Sequence, residues 1–258
     1  LSELMERLNL ATSQRQFLLY EALRKGAEIY QLQRKTGIKS WYLEQMQELV
    51  ELEKEILRHQ DHVLPDELLI RAKRDGFSDL YLSRLLKTPE AVIRKQRLSL
   101  GLKQAWASVP VSGVEDARYY YSSYNIEDQS LVSDNPRKVM VLGGGPIRIG
   151  QGIEFDYCCV HAAQALRKMG FETIMVNCNP ETVSTDYDSS DKLYFEPVTL
   201  EDVISIYEKE KPLGIIVQFG GQTPLNLASD LERSGLRILG TAPATIEMAE
   251  DRDQFRQM

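Results

Sequence analysis

Apolar positions along the 258-residue chain keep two different rhythms. Up to about residue 104 they recur at helical spacing. In Trp41 to His59, for example, Tyr42, Met46, Leu49, Val50, Ile56 and Leu57 share one side, which predicts a helix with a buried face. Punctuation divides this half into helices. Ser13 is the expected cap of a helix running to about Lys25, closed by Gly26. A short helix covers 27–35 and stops at Thr36-Gly37, and Ser40 caps the long one. Pro65 to Asp75 is ended by Gly76, Ser78 opens the next, and Thr88-Pro89-Glu90 starts a last one, ending near Leu100. Arg24-Lys25-Gly26 and Arg74-Asp75-Gly76 each precede a short helix, a turn and another helix, which suits either a duplication or similar helix punctuation.

The rhythm fails between 105 and 136. Val109-Pro110 and Asn135-Pro136 interrupt any helix, so this stretch is read as an ordered connector whose Tyr119, Tyr120, Tyr121 and Tyr124 pack on a surface. From 137 to the end, short β-prone runs alternate with helical ones. Strands are expected at 138–142, 173–177, 192–195, 214–218 and 236–239. Helices are expected at 154–169, 199–209 and 224–234. Strand–helix alternation with glycine at the turns implies a parallel sheet covered on both faces, whose ligands bind at the carboxyl ends of the strands. The expected organisation is therefore an all-α domain over 1–104, a connector over 105–136 and a Rossmann-like α/β domain over 137–258.

Composition narrows the classes. At 43% hydrophobic and 27% charged the chain can bury packed cores. No run approaches the roughly 20 apolar residues of a membrane span, and the N-terminus lacks the pattern of a signal peptide. Three cysteines, two of them adjacent, suit a reduced cytoplasmic protein. The net charge of −7 argues against indiscriminate nucleic-acid binding. A local exception is 71–103, where nine basic and three acidic side chains accompany a helix-turn-helix-like segment at 77–94. This keeps a DNA-binding regulator as an alternative.

Three loops carry the candidate chemistry. The first, Gly143-Gly144-Gly145-Pro146-Ile147-Arg148-Ile149-Gly150-Gln151-Gly152, fits neither common nucleotide loop. Arg148 stands where the dinucleotide pattern needs a small residue, and Asn177 and Asn179 stand where that fold closes its second strand with an acid. A Walker pattern from Gly145 finds Gln151-Gly152 in place of Lys-Ser/Thr. Backbone N–H groups at the following helix and the forked guanidinium of Arg148 still suit an anion. A plain strand–helix turn is the competing reading. The second loop spans Asn179, Pro180, Glu181, Thr182 and on to Asp186, and reads equally as a self-capping turn. The third is Gly220-Gly221-Gln222-Thr223 with its flanks. Following strands of one sheet, the three should converge, with Arg148 reaching Glu154 or Glu181 around a small anionic or polar ligand. His59 and His62 have ligand-like spacing but no companions, so no metal site is expected. Cys158, Cys159 and Cys178 read as buried thiols and His161 as packed on its helix.

The runs 139–158, 175–188, 194–202 and 218–224 resemble, in order, the large-subunit family of carbamoyl phosphate synthetases. Ser40-Trp41-Tyr42-Leu43 and Arg74-Asp75-Gly76-Phe77-Ser78-Asp79 resemble that family's helical oligomerisation domain. The stretch 106–117 departs from the family pattern. The resemblance implies a pre-ATP-grasp α/β domain from the carbamate-phosphorylating half and an ATP-dependent ligase as the complete enzyme. It implies ATP with Mg²⁺ or Mn²⁺ bound outside this segment, and a small glutaminase subunit as partner. Glu250-Asp251-Arg252-Asp253-Gln254-Phe255 resembles the entry to the ATP-grasp unit, so the chain by itself is expected to be inactive and to hold no cofactor. Glu154 and Glu181 match acidic positions lining a carbamate passage, with Gly152 giving room and Arg148 meeting the anion. Another ATP-grasp ligase with a similar first domain is the alternative enzyme.

Overall fold

A computed structural model describes residues 1–115, 117–146, 148–251, 253 and 256. Arg252, Gln254 and Phe255 of the expected ATP-grasp entry, and Ile147 of the glycine loop, lie outside the described residues. The chain forms two compact units, Leu1–Leu102 and Lys103–Met258.

The first unit is helical: α1 (Ser2–Arg7), α2 (Arg15–Arg24), α3 (Ile29–Thr36), α4 (Ser40–Leu57), α5 (Asp66–Arg74), α6 (Asp79–Leu86) and α7 (Glu90–Ser99). The sequence rhythm did not anticipate α1. Caps differ in detail from expectation. Gln14 and Lys39, not Ser13 and Ser40, stand at the N-caps of α2 and α4, and neither makes a side-chain cap bond. Pro89 stands at the N-cap of α7, while the Thr88 hydroxyl donates back to Leu86 O. Ser78 does cap α6, accepting from the Tyr81 N–H. Phe77 N–H donates to Ala72 O at 2.9 Å and Ala27 N–H to Ala22 O at 2.9 Å, so the two Arg-x-Gly turns close alike. Gly26 and Gly76 there hold φ of 81° and 89°, a conformation that favours glycine. The helices pack around two apolar clusters. One centres on Leu19, Leu32, Leu43 and Val50, the other on Leu52, Leu69, Leu82 and Leu86.

In the second unit seven strands form one sheet, in the order β1 (Ala105–Ser108), β2 (Tyr119–Ser123), β5 (Lys192–Phe195), β4 (Glu172–Asn177), β3 (Lys138–Leu142), β6 (Ile215–Ile216), β7 (Ile238–Leu239). Every pairing is parallel except β1–β2. The stretch read as a connector thus supplies an edge hairpin. Tyr120 is buried and its ring lies 5.4 Å from that of Tyr194. The side chains of β3 alternate between two cores. Met140 and Leu142 join a cluster with Val203 and Ile206 of α9 (Leu200–Glu210). Val141 joins Cys159 and Ala163 of α8 (Ile153–Lys168). Thr199 caps α9 as expected. The expected helix over 224–234 is broken in two, α10 (Gln222–Leu225) and α11 (Ala228–Arg233), and α12 (Pro243–Glu250) follows.

The amino ends of the central strands carry a buried ionic cluster. Lys192 Nζ lies 2.9 Å from both oxygens of Glu210, Lys138 Nζ lies 3.3 Å from Oε2, and Tyr194 donates its hydroxyl to Oε1 at 2.5 Å. Glu210 and Lys192 are fully buried, so each charge depends on the other for stability. The carboxyl ends of the same strands are left for the loops.

Candidate functional site

At the carboxyl edge one side chain ties two loops together. Asn177 ends β4 and is buried. Its Oδ1 accepts from the N–H groups of Gly145 and Cys178, both at 2.9 Å, and its Nδ2 donates to Ser184 Oγ at 2.8 Å. A Cβ on Gly143 would fall 2.4 Å from Asn177 Cγ, so the first loop can meet this amide only as glycine. The third loop crosses the first just as closely. A Cβ on Gly220 would fall 2.5 Å from Leu142 O, and one on Gly144 would fall 2.9 Å from Gly220 O.

The second loop is held from both sides. Both carboxylate oxygens of Asp156, in the first turn of α8, accept from Ser184 N–H at 3.2–3.3 Å. The Thr185 hydroxyl spans the carbonyls of Asn179 (2.6 Å) and Thr182 (2.8 Å). Asn179 Oδ1 accepts from Glu181 N–H at 3.0 Å. Between the loops lies a cavity of about 20 Å³, room for one water-sized group. Gly144, Gly145, Gln151, Gly152, Asn179, Thr182 and Gly220 line it, joined by Pro146, Phe155, Asp156 and Asn177.

Other expected residues stand around it. Arg148 forms no ion pair with Glu154 or Glu181; its Nη2 donates to Thr223 Oγ1 at 3.0 Å and so joins the first loop to the third. Glu154 turns back to accept from Gly152 N–H at 3.2 Å, satisfying a free donor at the start of its own helix. Glu181 and Asp186 are exposed. Gly150 sits in the left-handed region at φ 85°, and so does Gly221 at 72°. Gln222 Nε2 donates to Asn226 and to Glu250. Among the described residues no three His, Cys, Asp or Glu side chains are grouped to hold a metal ion, and no helix is long and apolar enough to cross a membrane. The thiols divide. Cys159 is buried and pushed up to about 12 by that burial, then by Asp156 and Cys158. Burial also raises the half-buried Cys178, whereas Cys158, expected to be buried, is exposed. His161 stacks on Tyr157 at 4.1 Å.

Asn177 and Asp156 were missed as site residues. A polar side chain closing the apolar run Ile174-Met175-Val176 was the available signal for Asn177. Nothing local marks Asp156, two residues on from Glu154 and so turned to another side of the helix.

Beside this edge lies Glu196, just past β5, 4% exposed. Burial first, then the neighbouring Asp202 charge, pushes its carboxyl up to about 8 against the opposing hydrogen bonds from Ser122. The folded state thus holds a proton that the unfolded chain has already lost. Stability should fall as pH rises from about 4.5 to about 8 and level off above. Glu196→Gln keeps the neutral shape, so its melting temperature should exceed the parent's at pH 9, with the gap closing at pH 5. Melting curves whose difference does not change with pH would refute this.

Comparison with known proteins defines the class. Residues 135–248 match the carbamoyl phosphate synthase preATP-grasp domain, and residues 1–101 match the carbamoyl-phosphate synthetase large chain oligomerisation domain. The carbamoyl phosphate synthase large chain of Halomonas eurihalina is 53% identical over 254 residues, 97% of this chain and 24% of that protein. Those of Archaeoglobus fulgidus and Methanothermobacter thermautotrophicus are 48% and 52% identical, over 100% and 96% of this chain and 24% and 23% of theirs. The chain belongs to the carbamoyl phosphate synthase large-chain family and spans about a quarter of the length of these relatives.

Proposed function

We propose that this chain serves as part of a cytoplasmic carbamoyl phosphate synthetase, which joins bicarbonate and glutamine-derived ammonia at the expense of two ATP for arginine and pyrimidine biosynthesis. The observation that carries this reading is the match of both units, in order, to two domains of one large chain. The helical unit mediates self-association. The α/β unit contributes the wall of a carbamate passage, and a small glutaminase subunit supplies ammonia. ATP and its divalent ion belong to other parts of the enzyme.

The loop chemistry suits a labile anion. Gly144, Gly145 and Gly152 keep the wall free of side chains, and buried Asn177 fixes where the backbone N–H groups stand. The Arg148 guanidinium, held by an uncharged hydroxyl, retains donors for a passing carbamate. Glu154 and Glu181, exposed at the same edge of the sheet, are assigned to the wall of the passage.

Glu154→Gln and Glu181→Gln, placed in a complete large chain carrying this segment, should lower carbamoyl phosphate formation about 10²–10³-fold. Bicarbonate-dependent ATP hydrolysis should persist. Wild-type rates of carbamoyl phosphate formation in both variants would remove the residue assignment. Steady ADP release by the 258-residue chain alone would remove the placement of ATP elsewhere.

A further inference from the structure

A carboxylate from α8 and an amide from β4 meet at one serine. Ser184, in the second loop, is fully buried. Its Oγ accepts from Asn177 Nδ2 at 2.8 Å, and its N–H donates to the two carboxylate oxygens of Asp156 at 3.2–3.3 Å. Asn177, 2% exposed, holds the N–H of Gly145 in the first loop through its Oδ1. One line of hydrogen bonds thus runs from the start of α8, through the second loop, to the first. We propose that Asp156, Ser184 and Asn177 are positioning residues for carbamate transfer: they fix the width of the opening between the loops, so that a lost link lets carbamate escape to water before it is phosphorylated. The proposal deepens the passage reading given above and rests on it.

The second loop is braced within itself. The Thr185 hydroxyl reaches the carbonyls of Asn179 and Thr182, Asn179 Oδ1 accepts from Glu181 N–H, and Ser189 Oγ donates to Val183 O at 2.6 Å. A loop tied in this way shifts as a unit, and Ser184 is where the unit is fastened to both neighbours. Asn179 and Thr182, which line the cavity, move with it. Asp156 and Asn177 line the cavity from the other sides.

The scale of the opening makes that fastening matter. The cavity of about 20 Å³ takes one water-sized group, so a displacement of about 1 Å changes what the loops admit or release. Carbamate reverts in water to ammonia and carbon dioxide, so a wall that seals it protects the product. Hydrogen bonds have a set length and direction, and buried networks of them specify one arrangement where apolar contacts would tolerate several.

The test uses a complete enzyme carrying this segment. The ratio of carbamoyl phosphate formed to ATP consumed should fall about ten- to a hundredfold in Asn177→Ala and Asp156→Ala. Ser184→Ala should lose less, because its N–H still meets Asp156. Asp156→Asn, whose Oδ1 can still accept from Ser184 N–H, should recover most of the loss, which a role for the Asp156 charge would forbid. Bicarbonate-dependent ATP hydrolysis should persist. So should ATP synthesis from carbamoyl phosphate and ADP, the reverse of the last phosphoryl transfer, since neither requires carbamate to cross. In the 258-residue chain, Asn177→Ala should speed amide exchange at Gly145 and leave β3 protected. Unchanged exchange at Gly145, or faster exchange with an unchanged product ratio, would overturn the positioning role. An equal loss of all three activities would overturn it too, leaving these residues to stability alone. If Glu154→Gln and Glu181→Gln lower the product ratio while the Asp156, Ser184 and Asn177 variants do not, the passage survives and this proposal falls. If none of the variants lowers it, both fall.

Discussion

Asp79→Ala should cost the helical unit about 3–5 kcal/mol, enough to unfold its second half near room temperature. Asp79 is fully buried at the start of α6. Lys73 Nζ lies 2.9 Å from one of its oxygens, and Arg97 grips both, with Nε and Nη2 at 2.9–3.2 Å. Lys73 and Arg97 are themselves 2% exposed. Removing the carboxylate takes the Asp79 charge from two buried cations, and water would have to enter the core to solvate them. Urea unfolding of the helical signal should show the midpoint collapse. A shift under about 1 kcal/mol would mean that the cluster contributes no more than a surface pair. The positions fifty residues earlier, Leu23 and Ile29, occupy the corresponding places in α2 and α3 with apolar side chains. Lys73→Leu combined with Asp79→Ile should therefore recover part of what Asp79→Ala loses. The same cluster bears on the helix-turn-helix alternative, since Lys73 and Arg97 are turned inward and unavailable to a phosphate backbone.

Gly220→Ala should disrupt the carboxyl edge of the sheet, costing about 3 kcal/mol, the upper end of ordinary overpacking. The added methyl would lie 2.5 Å from Leu142 O and 2.7 Å from the Gly143 carbonyl carbon. Both are backbone atoms of β3 and the loop leaving it, so neither can swing aside as a side chain would. The first loop would have to move off Asn177, breaking the bond to Gly145 N–H. Amide exchange should then accelerate at Gly145 and Cys178 well before the sheet itself melts. Gly235→Ala, where a Cβ meets nothing within 4 Å, isolates the effect of conformation from that of space, because its φ is 85°. It should cost only about 1 kcal/mol. Equal losses for the two variants would show that crowding at Gly220 is not the cause.

Much of the fold was readable because its signals are local. Gly26, Gly37, Gly76 and Gly101 end helices through a backbone conformation that glycine adopts freely, and each marks a boundary without reference to the rest of the chain. The parallel strands carry unbroken apolar runs, because both of their faces are covered. The edge hairpin was not readable. Ala105–Ser108 and Tyr119–Ser123 have no strong alternation, and they become strands because β2 finds Leu193 and Tyr194 of β5 to pair with. Pairing partners seventy residues away leave no periodic trace in either segment.

For the candidate site the sequence alone determined which loops meet. Glycine-rich segments that follow parallel strands must gather at one edge, and three of them do. It did not determine which side chains face one another. The expected triad of Arg148, Glu154 and Glu181 does not form, and each side chain takes another setting. Arg148 takes the Thr223 hydroxyl, Glu154 takes the N–H of Gly152, and Glu181 points to water. Only the tertiary structure decided that a buried amide, Asn177, holds the loops together. That choice depends on two hydrogen bonds formed across 32 and 7 residues of chain, and on the missing Cβ of Gly143. Residue type fixes what a group can bond. Which partner stands within 3 Å of it is settled by packing of the whole sheet.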